Sequence, residues 1–188
     1  MEKYKEKFID RTNNHIDLVN KYARKIGHIY PYHDYDKLGQ LLDDYSISFK
    51  YGGFDRDNER KQMTDEELTR YNNATIKHIL SNPHHPEYFL NKTDKENVIN
   101  NFTRDNPPMN LDCSKMSDEA IIEMCCDWCA MSEEFGNTPF EWLEKTCGYI
   151  KYDDYDPPKR WKFTNEQYDL IVNTLSKLWG NTEDIWRI

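Results

Sequence analysis

The chain has 188 residues, of which 37% are hydrophobic and 14% aromatic, with only 7 glycines. That length and apolar content suit one domain around a single core, and scarce glycine favours helices over a turn-rich β architecture. Lys and Arg number 25 against 34 Asp and Glu, a net charge of −9, which argues against general nucleic-acid binding because phosphate contacts need basic side chains, yet leaves room for a small phosphorylated substrate where a bound metal reverses the local field.

The first predicted helix covers residues 3 to 26, where Phe8, Thr12, His15, Val19, Tyr22 and Ile26 recur at steps of three and four and form one stripe. His15 therefore lies on the face due for burial, and Gly27 is the stop. Pro31 opens the next segment, with His33 and Asp34 at the start of a helix running into the 40s through Leu38, Leu41 and Leu42. Tyr51-Gly52-Gly53-Phe54 breaks that helix, and polar residues 51 to 63 read as a loop. Thr64 with Glu67 forms a capping box for a helix carrying Leu68, Tyr71, Thr75 and His78 on one side, ended by Ser81-Asn82-Pro83. His84-His85-Pro86-Glu87-Tyr88 is a short turn into a brief helix or irregular piece.

Residues 91 to 116 are Asn-rich and charged, include Pro107-Pro108, and read as a flexible loop over a site. Ser117 caps the next helix, in which Ala120, Met124, Asp127 and Met131 share a face and Gly136 is the end. Thr138-Pro139-Phe140-Glu141 starts a helix ending near Gly148, and residues 149 to 163 form an aromatic, acidic connection. Thr164 with Gln167 caps a last helix carrying Tyr168, Ile171, Val172, Leu175 and Leu178, ended by Gly180. The sum is five or six helices, no convincing strand pair, no repeat and no linker: an all-α single-domain bundle over residues 1 to 188.

Cys113, Cys125, Cys126, Cys129 and Cys147 are an odd, clustered set, not a secreted disulfide framework. Their spacing suits buried small hydrophobes better than a zinc site. No apolar stretch approaches the roughly 20 residues of a membrane span, and the charged N-terminus lacks a signal-peptide core. The expectation is a soluble, cytoplasmic protein with no membrane partner; its oligomeric state has no signature.

Five of the six histidines fall in one series with two aspartates: His15, His33-Asp34, His78, His84-His85 and Asp127. Imidazole and carboxylate bind divalent transition metals, among them Fe, Mn, Co, Ni and Zn. Each ion wants about three protein ligands and an open position, and a bundle supplies them from several helices. His15, His78 and Asp127 each lie on an otherwise apolar stripe, and a carboxylate facing a core is costly unless paired or metal-bound. The alternatives are local: His33-Asp34 as a helix cap, and Asp127 paired with Arg70 or Arg104.

This order resembles the HD-domain superfamily of metal-dependent phosphohydrolases, whose pattern is a His, an adjacent His-Asp and a distal Asp in an α-helical bundle. The matching positions are His15, His33-Asp34 and Asp127, and His33-Asp34-Tyr35-Asp36-Lys37 is similar to the family's His-Asp-x-x-Lys form. Members with two ions insert further histidines, which His78 and His84 or His85 resemble. A closer likeness is to a poorly characterised bacterial and phage group sharing this segment, an Asn-Pro-His84-His85-Pro-Glu87-Tyr segment and a helix with Glu123-Met124-Cys125-Cys126-Asp127-Trp128. Asp36 replaces the small residue often found before that Lys.

The resemblance implies one or two divalent ions, with Asp34 bridging, His15, His33 and Asp127 completing one sphere, and His78 with His84 and His85 holding the other. Only one of the adjacent pair is expected to reach an ion, because neighbouring side chains diverge. It implies phosphohydrolysis of a small phosphoester, a nucleotide foremost, by water activated at the metal, with Lys37 on the phosphate and Glu87 orienting a His or a water. It places the protein in the cytoplasm, the host's if phage-encoded. Two other chemistries share the ligand set: an HD-type di-iron oxygenase, and a non-catalytic nucleotide- or partner-binding module.

Overall fold

In the computed structural model, residues 2–52, 61–103, 106–152 and 154–180 are described. Gly53, Phe54 and Arg104, singled out in the sequence, lie outside them. Helix α1, Lys3–Arg24, buries Phe8, Thr12, His15, Val19, Tyr22 and Ala23 on one stripe, and Gly27 ends the segment at φ 82°. That positive φ is the left-handed conformation that glycine adopts without penalty. The Asn20 side chain then pins the following turn, donating to Tyr30 O at 3.0 Å and accepting from Tyr30 N at 2.8 Å. The turn delivers His33 and Asp34 to the face of α1 that carries His15.

The continuous helix expected after Asp34 is instead three single turns: α2 Tyr35–Leu38, α3 Leu42–Tyr45 and α4 Ile47–Lys50. Gly39, at φ −114° and ψ −109°, interrupts the first of them. These turns close a small apolar cluster of Phe8, Leu41, Tyr45, Ile47, Met63, Tyr71 and Ala74 beside one end of α1. Helix α5, Asp65–Ser81, starts on the full Thr64–Glu67 capping box and buries Tyr71, Ala74, His78 and Ile79. A 3-10 turn, Pro86–Phe89, follows.

Residues 92–101, expected as loop, form helix α6, Lys92–Asn101, capped by Asn91 accepting from Asp94 N. Asparagine is a strong N-cap, and the single buried Val98 is enough to dock so polar a helix, which left no apolar period to read. Helix α7, Asp118–Phe135, packs between α1 and the last helix, α9, Asn165–Trp179. Helix α8, Pro139–Thr146, starts on the Thr138–Glu141 capping box.

The chain is an all-α protein with one small exception to the expected lack of strands. Strands β1 Leu111–Asp112, β2 Cys147–Tyr149 and β3 Trp161–Phe163 form a parallel sheet in the order β1-β3-β2. Two or three residues cannot display the alternation of a strand, and parallel pairing joins segments far apart in sequence. The five cysteines are free and buried, all within or beside α7 and the sheet. Among the described residues no helix is long and apolar enough to cross a membrane.

Candidate metal centre

Five segments converge: α1, the turn after it, the end of α5, the turn after α5 and the middle of α7. His15 comes from α1, His33 and Asp34 from the pinned turn, His78 from α5, His84 and His85 from the turn after α5, and Asp127 from α7. Asp34 sits in the left-handed region at φ 57°, a conformation that Asp tolerates better than most residues.

Asp34 Oδ1 stands 3.1 Å from His78 Nε2, 3.6 Å from His84 Nε2 and 3.9 Å from His33 Nε2. Asp127 Oδ1 is 2.9 Å from His15 Nε2 and 3.7 Å from His33 Nε2, and Asp34 Oδ2 is 3.9 Å from His15 Nε2. The expected divergence of His84 and His85 is not found. A turn closed by His85 N to Asn82 O at 3.0 Å keeps their rings 4.3 Å apart, and His85 Nε2 meets His78 Nε2 at 3.0 Å.

The donor set fits a divalent ion. His33 Nε2, His84 Nε2 and Asp34 Oδ1 are buried and have no hydrogen-bond partner among the described residues. A buried polar atom without a partner costs about 1–3 kcal/mol, and three such atoms facing one another are satisfied by bound cations. Two ligands about 2.1 Å from one ion stand roughly 3–3.5 Å apart at tetrahedral or octahedral angles, close to the separations above. Four overlapping groups of His and Asp have their ligand atoms within 4.8 Å of one another. No cysteine belongs to any of them, which fits the reading of the thiols as core.

Behind the cluster stands a second layer of carboxylates, in which the sequence reading gave Glu123 and Glu134 no role. His33 Nδ1 is 3.0 Å from Glu123 Oε1, His78 Nδ1 is 2.9 Å from Asp36 Oδ2, and His15 Nδ1 is 3.3 Å from Glu134 Oε2. A carboxylate only accepts, so His33 Nδ1 and His78 Nδ1, each bonded to one, carry the proton and leave the opposite nitrogen free to ligate, whereas His15 Nδ1 makes no hydrogen bond among the described residues. Glu123 and Glu134 lie four before and seven after Asp127 on α7, hence on its face, and that spacing was the available signal. Arg11 in turn holds Glu134 at 2.7 Å, and Asn82 donates to Asp36 at 2.8 Å.

Electrostatics follow from this crowding. Burial disfavours the charged form of His33, but the carboxylates of Asp34, Asp127 and Glu123 outweigh it and raise its pKa to about 9. Burial is likewise overcome at Glu123, which hydrogen bonds from His33 and His84 bring down to about 2. Asp34 and Asp127 are held well below the usual carboxylate range despite burial, the first by Lys37, His33 and His78, the second by His15 and His33. Burial and the neighbouring His84 and His78 push His85 well below the usual imidazole value.

Lys37 and Glu87 are the two further residues that the sequence singles out. Lys37 is ion-paired to Asp34 Oδ2 at 2.6 Å and lines the adjoining cavity. Glu87 is completely buried, and its Oε1 accepts from Arg160 at 2.6 Å and from the Trp161 indole at 2.9 Å. Its recorded bonds go to these two residues and not to a histidine. Arg70, one suggested partner of Asp127, is bonded to Asp44 instead. The cavity has a volume of about 350 Å³ and is bordered by His15, His78, His85 and Asp127 on one side and by aromatic side chains including Trp128, Trp142 and Trp161.

A family model described as a family of unknown function, DUF5662, matches residues 4–177, so the chain belongs to that family. Searches of curated proteins and of solved structures return no significant match.

Proposed function

We propose that this member of DUF5662 is a divalent-metal-dependent phosphohydrolase of the HD type, acting on a small phosphoester, foremost a nucleotide. The observation that carries the metal half of this reading is the convergence of His33 Nε2, His84 Nε2 and Asp34 Oδ1, buried and without hydrogen bonds, with carboxylates behind the rings. The residues that would hold the metal are His15, His33, Asp34, His78, His84, His85 and Asp127. When bound, one or two divalent ions supply Lewis-acid polarisation of a phosphoryl oxygen and a water acidified towards neutrality.

The chain's own groups serve the rest of the reaction. Lys37 Nζ touches Asp34 and borders the cavity, so it can meet a phosphoryl oxygen without leaving its carboxylate far behind. Arg11, anchored on Glu134, offers a second cation on the same cavity. The wall with Trp128, Trp142 and Trp161 excludes water and suits the flat face of a base. The five free, buried cysteines accord with a reducing, cytoplasmic setting.

The test is metal analysis of the purified protein alongside a screen of nucleotides and other phosphoesters with each of Mn, Fe, Co, Ni and Zn. Phosphate release that requires metal and is abolished in Asp34→Ala is the expected result. Iron-loaded protein that consumes oxygen with a substrate and releases no phosphate would overturn it in favour of oxygenase chemistry. Tight nucleotide retention with no turnover under any metal would leave a binding module.

A further inference from the structure

Glu123 differs from the other carboxylates behind the cluster. Glu134 faces one cluster imidazole, His15, and is shared with Arg11. Asp36 faces one, His78, and is shared with Asn82. Glu123 faces two through a single atom: its Oε1 lies 3.0 Å from His33 Nδ1 and 3.5 Å from His84 Nδ1. These imidazoles come from different segments, the turn after α1 and the turn after α5.

A carboxylate oxygen accepts through two lone pairs, so one atom can hold both Nδ1–H groups and leave both Nε2 lone pairs facing away from it. Those two Nε2 atoms are buried and lack hydrogen bonds. Both approach the same atom, Asp34 Oδ1, at 3.9 and 3.6 Å. The two rings lie 4.2 Å apart with a tilt of 38°, too close for one to turn independently of the other. Glu123 also sits one helical turn before Asp127, so α7 carries a ligand and this anchor on one rigid face.

We infer that Glu123 is the positioning residue that joins the two halves of a two-ion centre. It orients His33, which stands with His15 and Asp127, and His84, which lies between the halves, within reach of His33 and Asp127 on one side and of His78 and His85 on the other. Removing its charge weakens both ions together, whereas removing that of Glu134 weakens one. This inference rests on the metal-dependent reading above.

The experiment titrates the chelator-stripped full chain with Co²⁺, following visible absorption and final stoichiometry, in the wild type, Glu123→Gln and Glu134→Gln. Far-UV circular dichroism of each stripped protein checks the fold. Glu123→Asp, which keeps the charge but shortens the reach, is a second variant should the amide destabilise the chain. The expected result is two ions in the wild type, both weakened about 10–100-fold in Glu123→Gln with altered Co²⁺ ligand-field bands, and one weakened in Glu134→Gln. Glu123→Asp weakens both as well. A Glu123→Gln effect confined to one ion, an effect no different from that of Glu134→Gln, or a wild type that binds a single ion overturns the inference and leaves the metal reading standing. A wild type that binds no ion overturns both.

Discussion

Two buried polar clusters in this molecule solve the same problem differently. At the Glu87–Arg160 pair, one fully buried carboxylate meets one guanidinium at 2.6 Å, a tryptophan indole adds a bond, and the charges cancel, although Glu87 Oε2 is left without a hydrogen bond. At the histidine cluster, Asp34, Asp36, Asp127, Glu123 and Glu134 crowd around the imidazoles, and among the described residues only Lys37 and Arg11 bring a lysine or arginine charge into ion pairs with them. Positive charge is short there unless imidazoles protonate or a cation binds. The first cluster is balanced in charge by its own residues, with Glu87 Oε2 and Arg160 Nε left without hydrogen bonds among the described residues; the second has the composition of a site that a divalent ion completes.

The strongest way to break this contrast is Asp34→Ala. It removes the carboxylate that faces His33, His78 and His84, so bound metal should fall to background in elemental analysis while helicity is retained. Unchanged metal content would remove the site. Glu87→Gln should do the reverse. Breaking one partner of a buried pair costs about 3–5 kcal/mol, here near the low end because the Arg160 side chain is 21% exposed. A large fall in Tm with full metal content is the expected pair of readings.

The pH dependence sharpens the same contrast. In the metal-free protein the His33 pKa is raised from 6.5 to about 9. A raised pKa stabilises the fold fully below about 6.5 and loses that contribution as pH climbs through 9. Glu123 is lowered from 4.5 to about 2, so its contribution is present above 4.5 and lost as pH falls towards 2. His33 and Glu123 together therefore favour the stripped fold most between about 4.5 and 6.5 and less towards 9, whereas His85, held neutral, favours the higher pH. Ligation requires deprotonated Nε2 atoms, so the extra stability conferred by added metal should grow over the same rise in pH. Thermal melts with and without a chelator from pH 5 to 9 should diverge as pH rises; parallel curves would contradict a metal on these imidazoles.

The smallest effect serves as a control. Thr164→Ala removes the capping box of α9, which bonds to neither cluster, and should cost about 1 kcal/mol by denaturant melts. Metal content should not move.

Much of this was legible along the chain because it depends on neighbours in sequence. The capping boxes at Thr64, Thr138 and Thr164 are where the spacing of Thr and Glu or Gln placed them, and the stripe through Phe8, His15 and Val19 is the buried face of α1. His15, His33, Asp34, His78, His84, His85 and Asp127, chosen as ligands before any fold was known, stand together. Less was visible where the signal was weak or shared. Gly39 and a left-handed Asp34 broke one expected helix into single turns, and the polar sequence of α6 concealed a helix behind an asparagine cap. Glu123 and Glu134 look like any solvated carboxylates of an acidic chain until Asp127 is taken as the reference point on α7.

Taken alone, the order of residues determined the helices, their caps and the kinds of side chain turned inward, since these follow from backbone hydrogen bonding and apolar periodicity within a few residues. Tertiary structure alone decided which carboxylate stands behind which imidazole, that Glu87 belongs to Arg160, and that three short parallel strands pair. Those contacts form between segments tens of residues apart, and their partners are chosen by packing geometry, on which local propensity has no hold.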